Sequence, residues 1–419
     1  MLMALGTLLC LPAQANKMAA EAAITIGQRF NMKSEVLGED RKLLIHLPKD
    51  YERSKQRYPV LFILDGGAHF DYTIGLVDFL TRNERTPELI LVAVPSMQKR
   101  TRDMLPGQGA EKFLRFLADE LTSWVDANYR TQPFRIFSGH SLGGKFSFYA
   151  LLERPDAFQA YIVPSPSLYS STSEFQQTKE RISKLPGKHW LYFSSGDYDS
   201  LDDHEYRTLD GVQRLTTWMK RREFDNLEWA SRYYPGDTHG TTPLRTLYDG
   251  LQWLYKDWRV LSSQDFGLEE VHEVQHKTSE DANKAWQKLK ELSYAELERR
   301  ITTHYARISR IYGYTVEPGY DGSIWKRNWL SIHERYDEAE VNARTTLAAY
   351  PERSAWLHET ISVLLEKQGR TVEALAEYRK ALREHERFPD PWWSEFGDDR
   401  ERERRLKTLE KRAAQQKGS

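Results

Sequence analysis

Short apolar runs alternate with amphipathic stretches between residues 24 and 260. The runs at 58–64, 89–94, 134–137, 161–163, 190–194 and 229–233 are rich in β-branched and aromatic residues, which is typical of buried strands. An earlier run at 42–47 predicts an antiparallel strand at the edge of the sheet. Buried strands that alternate with helices predict an α/β fold, in which helices flank a mostly parallel central sheet.

One stretch between the strands, residues 111–129, places its apolar side chains at helical spacing. These side chains are Phe113, Phe116, Leu117, Leu121, Trp124 and Val125. The spacing predicts a helix with one face in the core.

The strand signals end near residue 260, where residues 261–264 predict a linker. Residues 263–390 are charged and rich in helix formers, and residues 391–419 form a charged tail. Two stretches about 35 residues apart resemble the tetratricopeptide repeat, in which small alanines let paired helices pack closely. They contain Ala339, Ala343 and Pro351 in the first unit, and Ala374, Tyr378, Ala381 and Pro389 in the second. Gly369 fits the turn inside the second unit, and a plain helical hairpin remains the alternative. Because two units are too few for a free-standing array, we expect this region to pack on the α/β domain at 16–262.

The N-terminal residues 1–15 are apolar and too short to span a bilayer. We interpret them as a secretion signal with an apolar core at 2–11 and cleavage after Ala15. The basic start of such a signal is missing, so an apolar N-terminus without a targeting role remains the alternative. The signal predicts a periplasmic or secreted protein with no membrane contact after cleavage. Cys10 lies inside it, so the mature chain would have no cysteine and no thiol catalysis.

The composition limits the classes of function. A chain of 419 residues with 40% hydrophobic content can bury one large core and has room for a second small domain. Its 60 basic and 61 acidic residues balance, so no basic field argues for nucleic acid. The histidines are scattered without H-E-x-x-H or paired-cysteine spacing, so we expect neither a metal nor a cofactor.

The strongest candidate for chemistry is the sequence GHSLG at 139–143, between the run 134–137 and a helix-forming stretch at 145–152. A serine on such a strand-to-helix turn projects into a cleft, and the glycines let the backbone bend. Ser141 is therefore the candidate nucleophile. G-x-S-x-G alone is a weak motif, so the assignment depends on its partners.

A base and an acid follow in the order Ser, Asp, His. His239 lies in a polar, glycine-bounded loop after the run 229–233 and before a helix predicted at 243–258. The candidate acid is Asp199, after the run 190–194; Asp197 is close enough to substitute, and Asp202, Asp203 and Glu205 are not excluded. The backbone N–H groups of Leu142 and Gly67 are the candidate oxyanion donors.

Two arginines are candidate substrate ligands. Arg100 and Arg102 follow the strand run 89–94 and would favour an anionic acyl group or a catecholate if they face the cleft. A structural ion pair between Arg102 and Asp103 is an equal alternative.

Five segments in order resemble the Putative esterase family: YPVLFILDG at 58–66, RTRDMLP at 100–106, GHSLGG at 139–144, SPSL at 165–168 and HG at 239–240. This family includes esterase D, feruloyl esterases, mycolyl transferases and enterobactin esterases. The resemblance covers residues 24–260, implies an α/β-hydrolase fold and is nearest to the enterobactin esterase-like branch, some of whose members are periplasmic siderophore hydrolases. It implies catalytic roles for Ser141 and His239. It implies the acid less firmly, because some siderophore esterases work with a Ser–His pair.

The sequence thus predicts a serine carboxylic-ester hydrolase that acts on a small-molecule ester through an acyl-enzyme, with siderophore esters as candidate substrates. An acyl transferase of the same fold is the second hypothesis. A third is a binding protein whose helical region, which lies outside the family pattern, recruits a protein partner.

Overall fold

The computed structural model describes residues 25–168, 172–197, 208–266, 287–388 and 399–418. The predicted secretion signal with Cys10 lies outside these ranges, as do Asp199, Asp202, Asp203 and Glu205. Pro389 of the second repeat-like unit and residues 391–398 of the predicted tail also lie outside them. No helix of the described ranges is long and apolar enough to cross a membrane.

A sheet of eight strands forms the centre of the protein, in the order β1-β2-β4-β3-β5-β6-β7-β8. β1 and β2 pair antiparallel, β2 pairs antiparallel with β4, and all other pairs are parallel. The strands are β1 Gln28–Ser34, β2 Glu39–His46, β3 Tyr58–Leu64, β4 Ile90–Val94, β5 Thr131–Ser138, β6 Ala160–Val163, β7 His189–Gly196 and β8 Leu227–Tyr234. The predicted buried runs all lie in parallel strands, so the predicted fold class is confirmed. Two details of the prediction are wrong. The run 42–47 lies in β2, which is antiparallel as predicted but is not an edge strand, because β1 pairs along its outer side. The run 229–233 lies in β8, which is the outermost strand at the other edge and is only partly buried.

Helices cover both faces of this sheet. They are α1 Gly66–Arg82, α2 Arg100–Met104, α3 Ala110–Arg115, α4 Thr122–Asn128, α5 Leu142–Glu153, α6 Thr172–Ile182, α7 Thr208–Met219 and α8 Thr242–Leu254. All seven residues of β3 and all five of β4 are buried, because a parallel strand between two helical layers has no solvated face.

The single helix predicted at 111–129 is instead α3 and α4 joined by a π-helical segment, Phe116–Leu121. Its apolar side chains are still in the core, since all of them are buried except the half-buried Trp124. Inside the π-helical segment, the Glu120 carboxylate accepts hydrogen bonds from the Ser34 hydroxyl and from the Val36 N–H, the latter at 2.8 Å. The segment thereby joins the end of β1 to this helical layer.

The described residues from 287 onward form only helices and their connections, as predicted. Its helices are α9 Tyr294–Tyr312, α10 Tyr320–Ile332, α11 Tyr336–Ala349, α12 Ser354–Lys367, α13 Thr371–Arg387 and α14 Asp399–Gly418. The alanines of the two repeat-like units are buried in the core of this region, and Gly369 has φ +76° between α12 and α13. α14 is not fully solvated, because its Leu409 and Ala413 are buried.

The helical region packs on the α/β domain, as expected for so short an array. Tyr312 at the end of α9 is 3% exposed, and its ring centroid lies 5.6 Å from that of Phe134 and 6.1 Å from that of Trp190. Its hydroxyl donates to the Leu254 carbonyl at 3.0 Å. In the predicted linker, Leu261 is buried, and its N–H donates to Asp321 at 2.8 Å. The two regions therefore share a continuous apolar contact at the amino-terminal end of β5 and β7.

Candidate active site

The candidate nucleophile lies at a sharp turn between β5 and α5. β5 ends at Ser138 and α5 begins at Leu142, and between them Ser141 has φ 60° and ψ −116°. A non-glycine residue rarely adopts positive φ, and at a strand-to-helix turn such strain is characteristic of an exposed nucleophile. The Ser141 side chain is half-buried at the carboxyl edge of the parallel sheet.

Glycines make this turn possible, but not the pair that the motif suggests. A Cβ on Gly139 would lie 2.3 Å from the carbonyl oxygen of Gly143, and a Cβ on Gly144 would lie 2.8 Å from Cα of Pro166. A Cβ on Gly143 would meet nothing closer than 3.6 Å. The turn therefore requires glycine at 139 and 144, whereas Gly143 has ordinary space around it.

His239 lies beside the turn that contains the candidate nucleophile. It follows β8 and precedes α8, and its ring centroid is 4.4 Å from that of His140, the neighbour of Ser141 in sequence. β5 and β8 are parallel strands of one sheet, so the loops after them meet at the same edge. The structure thus brings together two predicted site residues that are about 100 positions apart.

His140 is a buried histidine that the sequence analysis treated only as part of the motif. Burial, together with the nearby His239, His69 and Arg100, holds its pKa well below the usual value, so its ring is neutral near pH 7. Burial also lowers the pKa of His69, whose ring centroid lies 5.8 Å from that of His140 and whose Nδ1 is 2.8 Å from the Tyr72 hydroxyl. The neutral ring of His140 therefore lies between His239 and His69, which is a residue of α1.

The predicted acid Asp199 lies outside the described residues, so its role stays a prediction. The alternative acid, Asp197, follows the end of β7 and accepts hydrogen bonds from the Gly236 N–H at 2.5 Å and from the Tyr233 hydroxyl. A carboxylate here holds the ends of β7 and β8 together at the start of the His239 loop.

The predicted oxyanion donors lie at two helix N-termini. Leu142 is the first residue of α5 and Gly67 the second of α1, where backbone N–H groups have no partner within the helix. Asp65 precedes α1 with φ 54°, and its carboxylate accepts from Arg100 Nε at 2.8 Å. Arg100 Nη2 also donates to the His140 carbonyl at 2.8 Å, so this arginine links the two candidate oxyanion loops.

The two arginines predicted as substrate ligands have different surroundings. Arg102 donates to Asp103 at 2.8 Å and to Glu39 at 2.7 Å, which is the structural ion pair that the sequence allowed. Asp103 is 1% exposed, and it also accepts from Arg41 at 2.5 Å. The role of Arg100 and Arg102 as substrate ligands stays a prediction. Of the two, Arg100 is nearer to Ser141 in its contacts, because it donates to the carbonyl of the adjacent His140, whereas Arg102 donates to Asp103 and Glu39.

Two further serines lie at the site, and the sequence analysis assigned neither of them a role. Ser167 Oγ is 3.3 Å from Ser141 Oγ, and Ser165 Oγ is 2.8 Å from Thr242 Oγ1 on α8. Both belong to SPSL, which the sequence analysis used only as one segment of a resemblance. The signal available in the sequence was their place directly after a buried strand, β6, which pairs with the strand that precedes the candidate nucleophile.

The strand order and the sharp turn at Ser141 are those of the α/β-hydrolase fold. Within that class the chain belongs to the family described as Putative esterase, which matches residues 34–254. The family and the relatives below support a hydrolase that acts on esters.

Two similar proteins are named as esterases of siderophores. The ferri-bacillibactin esterase BesA of Bacillus subtilis is 35% identical over 141 aligned positions, which cover 27% of this chain and 48% of BesA. The chain therefore spans about half the length of this relative. A siderophore triacetylfusarinine C esterase of Aspergillus fumigatus is 23% identical over 256 positions, which cover 50% of this chain and 86% of that protein.

Solved structures share the fold. An IroE-like serine hydrolase from Shewanella oneidensis has a TM-score of 0.58 at 23% identity, over 75% of this chain and 98% of that one. An uncharacterised protein from Capnocytophaga ochracea has a TM-score of 0.55 at 14% identity, over 92% of this chain and 99% of that one. The second match extends into the helical region, so the combination of both regions recurs in another protein.

Proposed function

We propose that the protein is a serine carboxylesterase in which Ser141 is the nucleophile and His239 the general base. The observation that carries the proposal is the strained turn at Ser141, with His239 beside it at the carboxyl edge of the sheet. A strained turn is retained where the surrounding structure and the function require it.

The chemistry follows from these positions. His239 takes the Ser141 proton as Ser141 Oγ attacks the ester carbonyl carbon, and the N–H groups of Leu142 and Gly67 stabilise the negative charge on the carbonyl oxygen. When the C–O bond to the leaving alcohol breaks, His239 returns the proton to that alcohol. Water then attacks the acyl-enzyme with the same proton transfers and releases the carboxylic acid.

We further propose siderophore esters as the substrate class. The names of two relatives, from Bacillus subtilis and Aspergillus fumigatus, support this class. Arg100, which is 23% exposed beside the nucleophile turn, supplies a positive charge suited to a catecholate or carboxylate group.

Catalysis is tested with the wild type, Ser141→Ala and the control Ser183→Ala, which removes an exposed serine at the end of α6. Each protein is assayed on a short-chain aryl ester and on a catecholate trilactone. We expect Ser141→Ala to lose at least about 1,000-fold in kcat on both, and the control to match the wild type. Equal activity of Ser141→Ala and wild type would refute the nucleophile.

The same assay separates the substrate hypotheses. A kcat/KM on the trilactone that is no higher than on the aryl ester would remove the siderophore assignment and leave the esterase. Formation of a new ester when an alcohol or a sugar is added would favour an acyl transferase instead.

A further inference from the structure

The segment Pro164, Ser165, Pro166, Ser167 and Leu168 after β6, here the β6 loop, contacts both halves of the candidate site. On the nucleophile side, the Ser141 N–H donates to the Pro164 carbonyl at 3.3 Å and the Ser167 N–H donates to the Ser141 carbonyl at 3.0 Å. Ser167 Oγ lies 3.3 Å from Ser141 Oγ. The loop therefore holds the backbone on both sides of the Ser141 Cα and also contacts Ser141 Oγ.

On the base side, a chain of hydroxyls joins the β6 loop to His239. The Thr242 hydroxyl donates to the His239 carbonyl at 3.1 Å, since a carbonyl oxygen can only accept. Its single proton is then used, so Ser165 Oγ must donate to Thr242 Oγ1 in their 2.8 Å contact. Ser165 and Thr242 are both 0% exposed, so these hydrogen bonds do not exchange with solvent.

The backbone of the loop is held in a costly conformation. Ser165 has φ 38°, which a residue with a side chain rarely adopts, and its N–H donates to the Ser194 carbonyl of β7 at 3.1 Å. Pro166 packs where a Cβ on Gly144 would be, which fixes the loop against α5. Strain of this kind persists where the surrounding structure fixes the backbone, and it is concentrated at functional sites.

We propose that the β6 loop is a positioning element which sets the nucleophile and the base relative to each other. Ser165 acts through Thr242 on the backbone of His239, and Ser167 donates to Ser141 Oγ. The inference rests on the proposed function of Ser141 and His239 and adds three residues with assigned roles. Because Ser141 donates its own proton to His239 in that mechanism, Ser167 is the donor in the contact between the two serines, and it stabilises negative charge that develops on Ser141 Oγ.

The test deletes single hydroxyls with little change of shape: Ser165→Ala, Ser167→Ala and Thr242→Val. Thr242→Ser is the conservative variant, and Thr246→Val is the matched control one turn further along α8. Thr246 is also 0% exposed. Its hydroxyl donates to the Thr242 carbonyl at 2.6 Å, so Ser194 Oγ donates to Thr246 Oγ1 in their 2.6 Å contact, and neither bond includes the hydroxyl of Ser165 or Thr242. For each full-length variant, kcat and KM on an aryl ester, the rate of Ser141 labelling by a fluorophosphonate, and the thermal midpoint are measured.

We expect kcat and the labelling rate to fall about 10- to 100-fold in the three deletion variants while KM stays within about twofold, since small displacements of reacting groups have effects of this size. Thr242→Ser should recover most of the lost kcat. The double variant Ser165→Ala with Thr242→Val should be no slower than Thr242→Val alone, because both residues act through one chain. Thr246→Val should lower the thermal midpoint and keep the wild-type kcat.

Two results would overturn the proposal: a wild-type kcat in folded deletion variants, or a loss in Thr246→Val as large as that in Thr242→Val. The Ser141→Ala variant separates this failure from failure of the proposed function. If Ser141→Ala is inactive and the loop variants are normal, only the positioning role is wrong. If Ser141→Ala is active, the nucleophile itself is wrong.

Discussion

The three glycines of GHSLGG offer a quantitative test of the nucleophile turn, because one substitution, Gly→Ala, adds the same methyl group at each. At Gly143 the new Cβ would have ordinary contacts, the nearest at 3.6 Å, so the variant gains only the helix preference of alanine, about 0.5–1 kcal/mol. At Gly144 it would lie 2.8 Å from the backbone of Pro166, and such overpacking costs about 1–3 kcal/mol. The net expectation for Gly144→Ala is a loss of about 0.5–2 kcal/mol after the gain in helix preference.

Gly139→Ala should be the most destabilised of the three. Its Cβ would lie 2.3 Å from a backbone oxygen, and residue 139 precedes α5, so no helix preference offsets the clash. Stability should thus fall in the order Gly143→Ala, wild type, Gly144→Ala, Gly139→Ala.

Urea unfolding followed by tryptophan fluorescence measures this order, provided that the slope with urea is the same in all variants. The esterase rate of each folded variant reports whether the turn still presents Ser141. Equal midpoints for Gly143→Ala and Gly144→Ala would refute the packing of Gly144 against the β6 loop, on which the positioning proposal also depends.

Three further predictions concern groups that are wholly or partly buried. Burial raises the pKa of Glu88 to about 7, so the folded state keeps a proton that the unfolded state loses above pH 4.5, and the free energy of unfolding falls as pH rises between these two values. Glu88→Gln should therefore be more stable than wild type by about 2–3 kcal/mol at pH 8 and equal to it below pH 4.5, as measured by urea unfolding at both pH values. Tyr312→Ala should cost about 3–5 kcal/mol in thermal unfolding, because it empties the contact with Phe134. Arg100→Met should cost about 3–5 kcal/mol in urea unfolding, because it leaves the buried Asp65 without this ion pair.

Matched variants make these results interpretable. Trp356→Ala removes a ring that is 42% exposed and should change stability much less than Tyr312→Ala, so an equal loss would contradict the interface. Arg102→Met should cost less than Arg100→Met, because Asp103 keeps its contact with Arg41. An unchanged difference between Glu88→Gln and wild type across pH 5–8 would contradict the raised pKa of Glu88.

The helical region covers apolar side chains of the α/β domain. Tyr312 and Tyr314 are buried against Phe134 from the α/β domain, so removal of the region would expose apolar rings at the amino-terminal end of the sheet. This contact lies at the opposite end of the strands from Ser141. We therefore expect the region to affect stability first, and a role in substrate choice or partner binding stays a prediction.

The sequence by itself determined the sheet, its mostly parallel order and the strand-to-helix turn at Ser141, because these depend on local patterns of apolar residues and glycine. The same local information placed His239 in the loop between the last strand and the last helix of the domain. The apolar spacing predicted one helix at 111–129. Spacing does not reveal the π-helical segment within this stretch, where Glu120 accepts a hydrogen bond from the Val36 N–H.

Tertiary structure alone decided which groups meet. The pairs Asp65 with Arg100, Ser165 with Thr242, and His140 with His239 are 35, 77 and 99 positions apart in the sequence. No local pattern marks such a contact, because it forms only when the carboxyl ends of β3, β4, β5, β6 and β8 are brought to one edge. For the same reason the motif named Gly143 as the second glycine of the turn, and only the packing of Pro166 identified Gly144.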